Sequence, residues 1–206
     1  MALSAIEVNN LKQAPAFEGV LPAVLSRWSA LSFANREVSP ALLTKVFEAA
    51  RWTASARNDQ PWRFLVGTRN SLTFKKISDT LEMNKAWAEK APVLILGVAK
   101  IKFSPSDAQN DWAIFDLGAA TSYLTLQATA LGLTTHQIAS YDKAAIRRDL
   151  AIPKDYALGA VIALGYQGEP GALGNEQLIA RETAPRTRMP LNELVFSAWD
   201  TPAKLG

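Results

Sequence analysis

The stretch Ser55–Val66, SARNDQPWRFLV, sets Asn, Asp, Gln and Pro directly before an alternating apolar run. Asn and Asp hydrogen-bond their own backbone, and the residue before a proline is pushed out of the helical region. Asn58-Asp59-Gln60-Pro61 therefore reads as a turn. Trp62, Phe64 and Val66 then alternate as in a half-buried strand. A plain connection needs only Gly, Asn or Pro. The density of hydrogen-bonding side chains here points to a turn built to hold something.

Upstream, residues 40–52, PALLTKVFEAARW, form an amphipathic helix with Ser39 as N-cap and Pro40 at the first position. Its apolar stripe is Leu42, Leu43, Val46, Phe47 and Ala50. Residues 16–28 read as another such helix. Downstream, SLTFKKISDTLEMNKAWAEK gives one or two surface helices, and 91–101, APVLILGVAKI, is the continuous apolar run of a buried strand. Residues 102–111 make a loop. Residues 112–133 form the longest predicted helix, apolar on nearly every side and so buried all round, with Gly132 ending it. Asp116, Gln127 and several hydroxyls argue against a membrane span. A strand at 135–140, a helix capped by Asp142 and a second buried strand at 157–168 complete the pattern. The result is one α/β unit of about four strands over residues 1–206. It carries an N-terminal extension (1–15) and a C-terminal arm (about 185–206) whose Leu191, Leu194, Val195, Phe196 and Trp199 are too apolar to dangle in water.

Composition narrows the function. With 49% hydrophobic and 20% charged residues the chain suits a soluble globular protein. The net charge of +3 is spread along the chain, with no basic run of the kind that binds nucleic acid or membrane, and it favours a small anionic partner. The absence of cysteine removes disulfides, thiolate metal sites and a Cys nucleophile, and a single histidine removes His-rich metal clusters. No secretory signal or membrane span is read, so the cytoplasm is the expected location.

Few residues suggest chemistry of their own. The glycine series GYQGEPGALG, 165–174, is followed by no predicted helix and closed by no Lys-Ser/Thr pair, so it reads as a solvent loop. His136 lies in an apolar segment without a nucleophile or carboxylate and reads as structural. The carboxylates are scattered. Two basic clusters remain, Arg27-Trp28-Ser29 and Arg186-Thr187-Arg188. Arginines at i and i+2 of an extended segment point the same way, as a bidentate grip on phosphate requires. Two solvated basic patches would have the same spacing.

Read in order, RWSALSF, FEAARWTASARNDQPWRF, DLGAATSYLTLQATALGLTTHQIASYD and RTRMPLNELVF resemble the FMN-dependent nitroreductase family over residues 27 to about 199. Its pattern is Arg-x-Ser-x-Arg/Lys-x-Phe, then an Asn-x-Gln-Pro-Trp turn, a long helix ending Gly-Leu, and a basic pair before an apolar arm. The resemblance implies an α+β fold of three layers. A mostly antiparallel central sheet is flanked by helices, and the C-terminal arm is exchanged across a homodimer.

It also implies a site. Arg27, Trp28 through its backbone, and Ser29 would meet the FMN phosphate and ribityl chain, and Arg186 and Arg188 would complete the phosphate grip. Ser55 and Asn58 would lie against the flavin ring. Gln137, Ile138, Ala139 and Ser140 would follow its N5/O4 edge. Leu31 stands where the family has Arg or Lys beside flavin N1/O2, which predicts a lowered potential, with Arg57 as a substitute cation. Ala54 replaces the proline usual before Ser55. The implied reaction is ping-pong hydride transfer from NADH or NADPH through FMN to a flat aromatic acceptor such as a nitroaromatic or quinone. No catalytic side chain, metal, nucleic acid or membrane is involved. A flavin-storing or flavin-sensing protein with little turnover is the alternative.

Overall fold

The computed structural model describes residues 3–104 and 106–205, so Met1, Ala2, Pro105 and Gly206 lie outside the described residues. The strands of the main sheet are β1 (Trp62–Thr68), β2 (Val93–Lys100), β3 (Thr134–Ile138) and β4 (Tyr156–Gly165). Their order is β1-β2-β4-β3 and every pairing is antiparallel. A two-stranded hairpin, β5 (Phe196–Ala198) with β6 (Thr201–Pro202), lies in the C-terminal arm. The helices are α1 (Ala5–Leu11), α2 (Pro22–Ser26), α3 (Pro40–Arg51), α4 (Leu72–Ser78), α5 (Lys85–Ala88), α6 (Ala113–Ala130), α7 (Lys143–Asp149) and α8 (Glu176–Thr183).

The period of two along β2 explains the layering. Val93, Ile95 and Ala99 pack with Val46 and Ala50 of α3 and with Leu117, Ala120 and Leu124 of α6. Leu94, Leu96 and Val98 pack with Phe74 and Ile77 of α4, Trp87 of α5 and Ile146 of α7. A strand covered on both faces has no polar side to show, hence its unbroken apolar sequence. Gly97 and Gly159 let α6 come down onto the sheet: a Cβ on Gly159 would stand 2.6 Å from Leu117 Cδ2.

The local signals at two helix starts hold. Ser39 Oγ accepts from Leu42 N at 3.3 Å, and Asp142 Oδ1 accepts from Ala144 N and Ala145 N at 2.9 Å each.

Three expectations are corrected, and the N-terminal extension gains a helix. The helix expected at 16–28 is only Pro22–Ser26, because Gly19 at φ +81° breaks the turn before it. Residues 5–11 of the N-terminal extension form α1, closed by a capping box between Ser4 and Glu7. The glycine series is not a solvent loop: Pro170 and Leu173 are buried, and α8 follows it. Finally, α6 is buried along one face only. Leu117, Ala120 and Leu124 are covered, while Ile114, Phe115 and Tyr123 are exposed, Phe115 by 68%. The C-terminal arm finds no cover within the chain either, since Leu191, Leu194 and Phe196 are exposed and Trp199 is 94% exposed.

Candidate functional site

The segment Arg27–Phe33 lies along the free edge of β3 as an extra rung. Ser29 bridges Thr135 in parallel, Phe33 bridges Gln167, and Ala34 N donates to Tyr166 O at 2.9 Å. Gly168 permits this approach, because a Cβ there would meet the carbonyl carbon of Phe33 at 2.5 Å. Alternation along the rung buries Trp28 and Ala30 and leaves Ser29 exposed and Arg27 half-buried. His136 is structural, as expected. Its Nδ1 lies 2.9 Å from Ala30 O, which has only lone pairs to offer, so Nδ1 carries the proton. The ring tilts against Trp87 at 4.6 Å, and burial pushes the histidine below its ordinary pKa.

Behind the rung stands Glu182 of α8, 1% exposed. Its two oxygens accept from Leu31 N at 2.8 Å and Ser32 N at 3.1 Å, and Gln167 Nε2 donates to it at 2.9 Å. Without it two successive buried N–H groups would be orphaned, at a cost of about 1–3 kcal/mol each.

Three arginines gather near the start of the rung. Arg186 donates to Arg27 O and to Leu25 O, tying the arm to the rung. Burial depresses the pKa of Arg27 and of Arg186; next in size is the charge of Arg188, which acts on both. Among the described residues none of the three has a carboxylate partner. Three like charges held together without an acid make an anion site. Arg27 also lines a groove of about 210 Å³ with Asn9 and Gln13 of the N-terminal region and Thr129 of α6.

Farther along the β3 edge, Gln137, Ala139 and Ser140 are exposed, and Asn84 Nδ2 donates to Ser140 O at 3.3 Å. Asn84 was hidden in the sequence as one polar position of a surface helix. Ile138 and Leu31 fall elsewhere: each is 3% exposed and packed in the core beneath the rung. For Ile138 only the backbone faces the edge. Leu31 has its side chain in the core and its N–H on Glu182, so it offers a ligand nothing; an apolar residue here is a core choice.

The turn at 55–60 lies elsewhere. Arg57, Asn58 and Gln60 all take positive φ, at 54°, 55° and 49°. Non-glycine residues in that region are strained, and such strain gathers at functional sites. Ser55 Oγ accepts from Gln60 N and Asp116 Oδ2 accepts from Ala56 N, so the turn is pinned from inside. The Asn58 side chain is exposed and makes no hydrogen bond among the described residues. Arg57 lies over the Phe103 ring at 4.6 Å and is no substitute cation for the rung.

Rung and turn sit at opposite corners. The turn feeds β1 where Trp62 faces Ala99, while β3 begins at the other end and other edge, where Thr134 faces Gly165. Helix α6 measures the gap. Asp116 holds the turn and Thr129 lines the Arg27 groove, thirteen positions apart, or about 20 Å at 1.5 Å per residue. The two corners of one chain are thus separated by most of the length of α6.

Comparison with known proteins identifies the family of this fold. The nitroreductase family model matches residues 24–166. A NADH dehydrogenase of Thermus thermophilus is 26% identical over 205 residues, covering 84% of this chain and 93% of its own. A solved oxidoreductase containing FMN is 30% identical, with a TM-score of 0.85 over 92% of this chain and 97% of that one. A solved nitroreductase family protein of Clostridium difficile 630 is 25% identical, with a TM-score of 0.64 over 83% of this chain and 93% of that one. The antiparallel sheet, the rung with its arginines and the strained Asn-x-Gln-Pro-Trp turn thus have a common explanation: the chain belongs to the nitroreductase family.

Proposed function

We propose that the protein is an FMN-dependent oxidoreductase, active as a homodimer, that uses NADH or NADPH to reduce a flat electron-poor acceptor such as a nitroaromatic or a quinone. The observation that carries this reading is the Arg27, Arg186 and Arg188 cluster, three cations with no carboxylate partner among the described residues, which fits a phosphate dianion. Ser29, exposed beside Arg27, adds a hydroxyl donor for the phosphate or ribityl chain. The β3 edge from Gln137 to Ser140 offers a polar wall for a ring lying above the buried Ile138. When bound, FMN supplies the two-electron carrier between reductant and acceptor in a ping-pong cycle. The chain's own part is to bind, orient and shield, which accords with the lack of any acid–base pair in the site.

We read the 20 Å gap as giving the turn a partner role. Ser55 and Asn58 reach a ligand on the rung only when a second copy brings its turn there. The exposed Phe115, Tyr123 and C-terminal arm supply apolar surface for that association. The storage alternative drew its support from a missing cation at Leu31, and that position lies in the core.

Purified protein should be yellow, and anaerobic NADH or NADPH should bleach it within seconds. A yellow protein that keeps its colour under both reductants would favour storage. Light scattering that finds a single-chain mass with FMN bound would remove the dimer.

A further inference from the structure

We propose that Glu182 is the positioning residue of the anion site, fixing the Arg27–Phe33 rung so that Arg27 and Ser29 face the same anion as Arg186 and Arg188. The proposal rests on the FMN reading above and deepens it. Glu182 sits in the last turn of α8, four residues before Arg186. One short stretch therefore holds both halves of the grip: its carboxylate holds Leu31 N and Ser32 N, and its arginine holds Arg27 O and Leu25 O.

The network around the carboxylate extends to two further side chains, with Gln167 Oε1 alone of its atoms left buried and unpartnered among the described residues. The Ser32 hydroxyl lies within bonding distance of Glu182 and 2.9 Å from Gly168 O, and Gln167 Nε2 donates to both Ser32 Oγ and Glu182. Lys12, just past α1, braces the other side. Its ammonium donates to Arg181 O and Ala184 O and lies 4.9 Å from the centre of the Trp28 ring. Trp28 Nε1 in turn donates to Asn9 Oδ1 at 3.0 Å. Both bracing helices fall outside the matched residues 24–166, so this support is built from the chain's two ends.

A carboxylate that only stabilised the fold would affect all ligands alike; one that aims the rung would affect the phosphate alone. The test is fluorescence titration of flavin-stripped protein with FMN and with riboflavin, alongside thermal melts, for wild type, Glu182→Gln and Ser32→Ala. The amide of Glu182→Gln must turn a donor toward one of the two N–H groups. It should cut the preference for FMN over riboflavin about tenfold or more, with riboflavin changed less than about twofold. Ser32→Ala, which keeps the carboxylate, should cut it about threefold. An unchanged preference in folded Glu182→Gln, or an equal loss for both flavins, overturns the proposal. If Glu182→Gln does not fold, an unchanged preference in Ser32→Ala overturns it. A wild type that does not distinguish FMN from riboflavin overturns the FMN reading and this proposal together.

Discussion

The rung at 27–33 and the turn at 55–60 are both polar stretches that run into the core, yet they are built in opposite ways. Five of the rung's seven residues are buried, and two of its successive N–H groups end on a buried carboxylate. The turn is largely exposed, takes three positive φ angles in four residues and is pinned by a few local bonds through Ser55, Asp59 and Asp116. A grip on a charged group needs cations held where they would otherwise repel, so it needs bracing from behind. Presenting one amide across an interface needs only a rigid, unusual backbone. On the proposed function the difference separates a charge-binding end from a ring-reading end, and each end predicts its own mutational signature.

The largest effect is expected inside the rung. Leu31→Arg would put a guanidinium into the core without a partner and should destabilise by about 3–5 kcal/mol, whereas Leu31→Met should cost less than about 1.5 kcal/mol. Thermal or urea melts decide. A Leu31→Arg protein that melts like wild type and shows a raised flavin potential would mean that the side chain reaches the ring after all.

Next comes the grip. Arg188→Ala should weaken FMN by about tenfold to a hundredfold, the loss of a charge-assisted bond of roughly 1.5–3 kcal/mol, and leave riboflavin nearly unchanged. Asn58→Ala should weaken both flavins alike, by about threefold to tenfold, since it removes an ordinary hydrogen bond to the ring. Titration of the two variants with both flavins sets the ends of the molecule side by side. A phosphate-selective loss in Asn58→Ala would erase the distinction between them.

The smallest effect is a pH dependence confined to the rung. Burial holds the folded-state pKa of His136 below that of the unfolded chain. As pH falls below the ordinary histidine value of about 6.5, the unfolded state takes up the proton first. The contribution is thus complete above that pH and declines on acidification. Melting temperatures at pH 7.5 and 5.5 should differ more for wild type than for His136→Gln, which removes the only histidine. Equal differences would show that the imidazole is not the cause.

How much of this was legible in the sequence depended on range. Caps act across three residues, so Ser39 and Asp142 announced their helices. The alternation after Pro61 announced β1, and the unbroken run announced β2. The site's main support is of another kind. Glu182 lies 150 residues from Ser32, and a glutamate in a polar helical octet reads as solvent-facing, since nothing local shows what it will meet. The glycine series misled for a related reason: Gly168 is required by the backbone of Phe33, which lies far away along the chain. Leu31 was legible as a departure from a motif but not as a core residue, because its neighbours Ile138 and Trp87 come from other elements. The arginines could be named from their spacing. That they lack acids could be seen only once the chain had folded.

The position of the rung also bears on solubility. An uncovered edge strand presents a row of unpaired N–H and C=O groups to other molecules, the usual template for aggregation. In this sheet the edge of β3 is screened by the segment that carries Arg27 and Ser29. The residues proposed to hold a ligand therefore also keep an adhesive edge out of reach. Variants that loosen this segment should lose soluble yield as well as affinity, so low expression among them would report an unshielded strand.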